Sequence, residues 1–193
     1  VLRVLERFAP APGKDLTLFL DYRVQRAAFD ALGDRRGAVV AIDPRTGGVL
    51  ALVSTPGFDA NLFVNGISSR DYAALRDSLD VPLFNRAIQG SYPPGSTIKP
   101  FMAMAGLLSG LVTPDSTVAD PGWYRLPGDS RRYRDWILRV RGTGHAARVN
   151  MKLAISESCD VYFYDLARRL TIDRMSEYLG PFGFGARTDI DTT

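Results

Sequence analysis

The sequence predicts an α+β fold with an antiparallel sheet and a buried helical core. Three observations carry that prediction. Apolar, β-rich runs come early, at residues 37–42 and 49–53, with turn chemistry between them. Helical patterns fill the middle and the end of the chain. No regular alternation of strand and helix joins them, which argues against a doubly wound parallel sheet.

The first element after the Pro- and Gly-containing stretch Ala9-Pro10-Ala11-Pro12-Gly13-Lys14 is a strand, read from the alternation in Leu16-Thr17-Leu18-Phe19-Leu20. Asp21 is placed to cap a helix that runs to about Leu32, with Val24, Ala27, Ala28, Ala31 and Leu32 on one face. Gly37–Ile42 and Val49–Val53 form a hairpin around Asp43-Pro44-Arg45-Thr46-Gly47-Gly48. Both runs are apolar throughout, so both sheet faces are expected to be covered. Residues 56–67 read as a loop, and Ser69–Leu79 as a short helix capped by Ser68 or Ser69.

Ser96–Leu108 is a helix apolar on nearly every side, with Pro100 in its first turn where a missing N–H costs least. Residues 111–148 are irregular. Asn150–Leu170 is helical in two pieces, and Asp173–Leu179 forms a further short helix.

Composition narrows the function classes. The chain has 193 residues, 46% hydrophobic and 23% charged, as ordinary globular domains do. Its formal charge of +3 is spread thinly, so no nucleic-acid partner is expected. One cysteine excludes an internal disulfide. No apolar run reaches the ~18 residues of a membrane span, and no signal peptide opens the chain. The abrupt ends at Val1 and Thr193 suggest a fragment.

The chemical centre is Tyr92-Pro93-Pro94-Gly95-Ser96-Thr97-Ile98-Lys99. Spacing i, i+3 sets Ser96 and Lys99 on one face. A helix start favours a developing oxyanion. A lysine among apolar side chains resists carrying charge and can serve as base. Serine needs such a base to become a nucleophile. A second polar motif, Ser158-Cys159-Asp160, opens another apolar helix. A Ser-His-Asp hydrolase is excluded, because His145 is the sole histidine and Ser96 lacks the G-x-S-x-G elbow.

These segments carry a resemblance. Residues 38–54, Phe84-Asn85-Arg86-Ala87, Tyr92–Pro100, Asp120-Pro121-Gly122, Tyr133-Arg134-Asp135-Trp136 and Ser158–Tyr164 together resemble the transpeptidase domain of class B penicillin-binding proteins, most closely the elongation type. The serine–lysine motif belongs to that enzyme group.

The resemblance implies an incomplete penicillin-binding/transpeptidase (serine β-lactamase-like) fold. Residues 1–13 would be the end of an upstream segment. Residues 14–193 would be the N-terminal part of the transpeptidase domain, without the Lys-Thr-Gly strand and C-terminal helix, and inactive alone. It implies acylation of Ser96 by the D-Ala–D-Ala end of a peptidoglycan stem peptide, with Lys99 as the base on Ser96, Ser158 as proton relay to the leaving nitrogen, and Asp160 where many relatives carry Asn. The Ser96 N–H would supply half of an oxyanion hole.

Implied partners are stem peptides, β-lactams, a SEDS-family glycan polymerase and other elongation-complex membrane proteins, at the periplasmic face of the bacterial inner membrane. A non-catalytic β-lactam or muropeptide sensor and a structural scaffold remain open as alternatives.

His145 and Cys159 are each unique in the chain. The long irregular loop passes Asp120, Asp135 and His145, and no disulfide is available to staple it. The expectation is therefore a structural Zn²⁺ held by Asp120, Asp135, His145 and Cys159, which the elongation-type resemblance supports. The remaining cluster, Arg131-Arg132-Tyr133-Arg134, reads as a solvated loop face.

Overall fold

The computed structural model describes residues 13–188 and 190. Apart from Gly13, the segment read as an upstream end, residues 1–13, lies outside these. The chain divides between Ser91 and Tyr92 into two compact units.

In the first unit, helix α1 (Tyr22–Leu32) starts where Asp21 predicts. The Asp21 carboxylate accepts from the Arg23 N–H at 2.8 Å. Strands β1 (Gly37–Ile42) and β2 (Val49–Thr55) pair antiparallel, with Val39 opposite Val53 and a register shift at Ala41/Ile42. In their turn the Asp43 carbonyl accepts from Gly47 N–H at 2.8 Å, and Gly47 takes φ +73°. Helix α1 packs on β2 through Gln25, whose side chain donates to the Leu52 carbonyl and accepts from the Leu52 N–H. The inward positions of α1 are therefore Gln25, Ala28 and Leu32, while Val24, Ala27 and Ala31 of the expected face are exposed.

Two further expectations fail in this unit. Leu16–Leu20 form no strand: Leu16 is 86% exposed, and alternation alone does not make a strand without a neighbour to pair with. The hairpin is not covered on both faces. Ala51, Val53 and Thr55 of β2 are buried, whereas Val40 and Ile42 of β1 are exposed, following the pleat alternation of side chains. The loop after β2 holds a single 3₁₀ turn, Ala60–Phe63. Helix α2 (Ser69–Arg76) is capped by Ser68, whose hydroxyl accepts from Asp71 N–H.

The second unit carries the helical core. The predicted helix from Ser96 is a 3₁₀ turn, Gly95–Ile98, running into helix α3 (Lys99–Leu108). Helix α3 is less uniformly buried than its composition suggests, since Leu107 and Leu108 are exposed. Its inner face meets the long helix α6 (Asp160–Leu179) at Gly106, where an added Cβ would lie 2.9 Å from Leu166 Cδ1.

The loop region holds an antiparallel pair, β3 (Trp123–Tyr124) and β4 (Tyr133–Arg134), and helix α4 (Ile137–Arg141). Helix α5 (Met151–Ser156) is capped by the Asn150 side chain. Helix α6 leaves helical geometry at Thr171 (φ 65°, ψ 164°), the break expected between Leu170 and Asp173. Met102, Ala105, Val161, Tyr162, Leu166 and Leu170 form the heart of the core. No helix among the described residues is long and apolar enough to cross a membrane.

Candidate active site

Gly95 takes φ +56°, a conformation open to glycine, and turns the chain into the 3₁₀ turn that carries Ser96. Residues i and i+3 eclipse in such a turn, so Lys99 stands behind Ser96. Ser96 is exposed and Lys99 is 8% exposed. One hydroxyl thus meets solvent while the amine is held inside.

The second motif lies between α5 and α6. Ser158 adopts φ +55°, a left-handed conformation that costs a non-glycine residue about 1–2 kcal/mol. Its hydroxyl donates to Ser96 Oγ at 2.9 Å. Lys99 Nζ donates to Ser158 Oγ at 3.1 Å, to the Ser158 carbonyl at 2.7 Å and to Asp160 Oδ1 at 2.6 Å. Three acceptors match the three donors of an ammonium. The Phe163 ring lies 5.7 Å from Nζ and adds a π face.

The four predicted residues therefore converge, with one difference from the expectation. The link from Lys99 to Ser96 runs through Ser158, because Asp160 and the Ser158 carbonyl draw the amine toward the start of α6. Trp136 also joins the site. Its indole N–H donates to the carbonyls of Glu157 and Ser158, at 3.3 and 3.2 Å. Nothing in its sequence neighbourhood beyond adjacency to Asp135 signals that role.

Directly behind Ser158, Asp120, Asp135, His145 and Cys159 bring one ligand atom each to within 4.8 Å of one another. Asp120 and Asp135 are 5% and 2% exposed, and Cys159 is fully buried. Gly122 N–H donates to Asp120 Oδ1 at 2.6 Å, and His145 N–H to Oδ2 at 2.9 Å. Asp135 Oδ2 accepts from the N–H groups of Asp160 and Val161 at the start of α6.

Burial opposes charge on Asp120. The His145 backbone and ring and the Gly122 N–H outweigh it and hold this carboxyl below its usual range. Burial pushes the Cys159 thiol up to about 12, with the nearby Asp120 and Asp135 charges adding to it.

The donor set fits a closed zinc site: one imidazole, one thiol and two carboxylates, all buried. His145 Nε2 is 3.1 Å from the Glu157 carbonyl, a bond that fixes the ring and turns Nδ1 to the other ligands. Nδ1 lies 2.7 Å from Asp120 Oδ2.

Residues 37–193 match the family model described as the penicillin-binding protein transpeptidase domain. Over 191 residues, 99% of its length, the chain is 54% identical to the peptidoglycan D,D-transpeptidase MrdA of Acinetobacter baumannii. It spans 28% of that relative, under a third of its length.

Its fold is similar to Pseudomonas aeruginosa PBP2, solved in complex with WCK 5153. The TM-score is 0.83 at 54% identity, covering 93% of this chain and 38% of that one. It is also similar to Helicobacter pylori PBP2, solved in complex with MreC, with a TM-score of 0.77 at 34% identity, covering 86% and 30%. The α+β reading and the resemblance drawn from the motifs agree with these matches.

Proposed function

The chain belongs to the penicillin-binding protein transpeptidase family, and on that premise we propose that the full-length protein is an elongation-type peptidoglycan D,D-transpeptidase working through an acyl-serine. The observation that carries this reading is the Ser158 hydroxyl, seated between Ser96 Oγ and Lys99 Nζ.

A hydroxyl both donates and accepts, so this chain can move a proton either way. Ser96 Oγ attacks the carbonyl carbon of the D-Ala–D-Ala bond. Its proton passes through Ser158 Oγ to the lone pair of Lys99 Nζ, which serves as the base. The same path returns a proton to the departing nitrogen. D-Ala leaves, and an ester joins the stem to Ser96. An amine from a neighbouring stem attacks the ester, its proton returns to Ser96 Oγ, and an amide cross-link remains. The Ser96 N–H supports the oxyanion in both steps. Asp160 pairs with Lys99 and holds its amine beside Ser158. β-Lactams acylate Ser96 as mimics of the dipeptide end.

Asp120, Asp135, His145 and Cys159 would hold Zn²⁺, whose contribution is a structural cross-link between the loop of residues 111–148 and the start of α6. The peptidoglycan activity named for the A. baumannii relative supports work on the periplasmic side of the inner membrane. The MreC complex of the H. pylori relative supports a protein partner of that kind for the full-length protein; a SEDS-family glycan polymerase and other elongation-complex membrane proteins are proposed on the sequence resemblance alone.

Labelling of the full-length protein with fluorescent penicillin tests the reading. A stable adduct mapped to Ser96, abolished in Ser96→Ala, and cross-linking of donor stems by the wild type are expected. Labelling retained by Ser96→Ala overturns it. Metal analysis of protein purified without chelator tests the zinc site; sub-stoichiometric zinc rejects it.

A further inference from the structure

The β3–β4 pair sorts its side chains by the pleat. Tyr124 and Tyr133 face inward, with ring centroids each 6.1 Å from Tyr164 on α6. Trp123 and Arg134 are direct cross-strand partners on the opposite side. There the Arg132 and Arg125 guanidiniums lie 4.5 and 5.6 Å from the Trp123 ring centroid.

Arg125, Arg132 and Arg134 are exposed, and among the described residues none of them is in an ion pair. The nearby acid, Asp129, is engaged by the Arg131 N–H and the Tyr133 hydroxyl. Beyond Arg134 the surface dips into a cavity of about 550 Å³ edged by Arg134 and Arg139 and lined by Trp136 and Leu138. Trp136 is also the residue whose indole bonds the Ser158 carbonyl. A basic, aromatic surface therefore ends beside the Ser96 site.

We infer that the outer face of β3–β4, with this cavity, is a binding site for an uncross-linked peptidoglycan strand, taking the free carboxylates of its stem peptides on Arg125, Arg132 and Arg134. The inference rests on the transpeptidase reading and names where that substrate is gripped away from the reacting bond. Charge complementarity selects the occupant. Guanidiniums present paired N–H donors matched to carboxylates, and stacking on Trp123 holds two of them in place before a ligand arrives.

The test uses full-length protein in detergent, acylated at Ser96 with benzylpenicillin so that no turnover occurs. The probe is a purified glycan strand fragment carrying pentapeptide stems, with affinity read from indole fluorescence. R125Q/R132Q/R134Q is expected to weaken binding at least tenfold, to flatten its dependence on salt, and to label with fluorescent penicillin at the wild-type rate.

Strands with amidated stem carboxylates should bind as weakly to wild type as native strands bind to the triple variant. Unchanged affinity in the triple variant, or equal affinity for amidated strands, overturns the inference. So does wild-type binding to phosphatidylglycerol vesicles in place of strands. Loss of labelling in the wild type itself would instead overturn the transpeptidase reading.

Discussion

Ser158 Oγ lies 2.9 Å from Ser96 Oγ and 3.1 Å from Lys99 Nζ, which makes it, among the described residues, the hydroxyl that links the buried amine to the exposed serine. Removing it breaks the proton path and leaves both ends in place. Ser158→Ala should slow acylation by penicillin about 10²–10⁴-fold, the range for positioned acid–base groups, with folding retained. Stopped-flow acylation of the full-length protein measures this. A rate within threefold of wild type would show that Lys99 serves Ser96 without the relay.

The proposed zinc site would require the Cys159 thiolate, yet in the folded protein burial, then Asp120 and Asp135, hold the thiol up to about 12. At pH 7 the thiol is therefore protonated, and binding must expel its proton. Affinity should rise with pH, and calorimetry in buffers of different ionisation enthalpy should detect that proton. The sign for stability follows from the same shift. The unfolded thiol ionises near its ordinary value and the folded one only near 12, so metal-free protein should lose stability as pH climbs from about 9 toward 12. Metal affinity independent of pH between 6 and 8 would contradict a thiol ligand.

The residues of the site were legible where their chemistry is scarce. A chain with one His, one Cys and no disulfide draws attention to His145 and Cys159, and the irregular loop leading to His145 passes Asp120 and Asp135, which complete the cluster. Ser96 and Lys99 were legible from spacing because a 3₁₀ turn and an α-helix both set i and i+3 on one side. The bridging position of Ser158 was not, since it depends on a left-handed φ and on the packing of α3 against α6. Likewise Asp21 announces helix α1 through a local cap. Leu16–Leu20 mislead because a strand is defined by a neighbour that the local pattern does not contain.

Asp135 ties the loop to α6 by accepting from the Asp160 and Val161 N–H groups with one oxygen and from Ile137 N–H with the other. A carboxylate here also complements the positive end of the α6 dipole. In Asp135→Asn one oxygen becomes an NH₂ that faces donors. The expected cost is about 1–3 kcal/mol, read as a lower melting temperature together with reduced zinc content. Unchanged melting and full zinc occupancy would remove Asp135 from both roles.

Lys99 sits on α3 and Asp160 on α6, so their 2.6 Å pairing depends on how closely those helices approach. Gly106 sets that approach. An added Cβ would stand 2.9 Å from both Leu166 Cδ1 and Val112 Cγ2. Gly106→Ala gains about 1 kcal/mol of helix propensity but overfills the contact at about 1–3 kcal/mol, so the net change should be small or destabilising. The informative readout is acylation. Forcing α3 outward lengthens the Lys99–Asp160 and Lys99–Ser158 contacts, and the penicillin acylation rate should fall more than the melting temperature suggests. Leu166→Val, which shortens the facing side chain, should restore part of that rate in the double variant. If Gly106→Ala acylates at the wild-type rate, the helix approach does not govern the geometry of the amine.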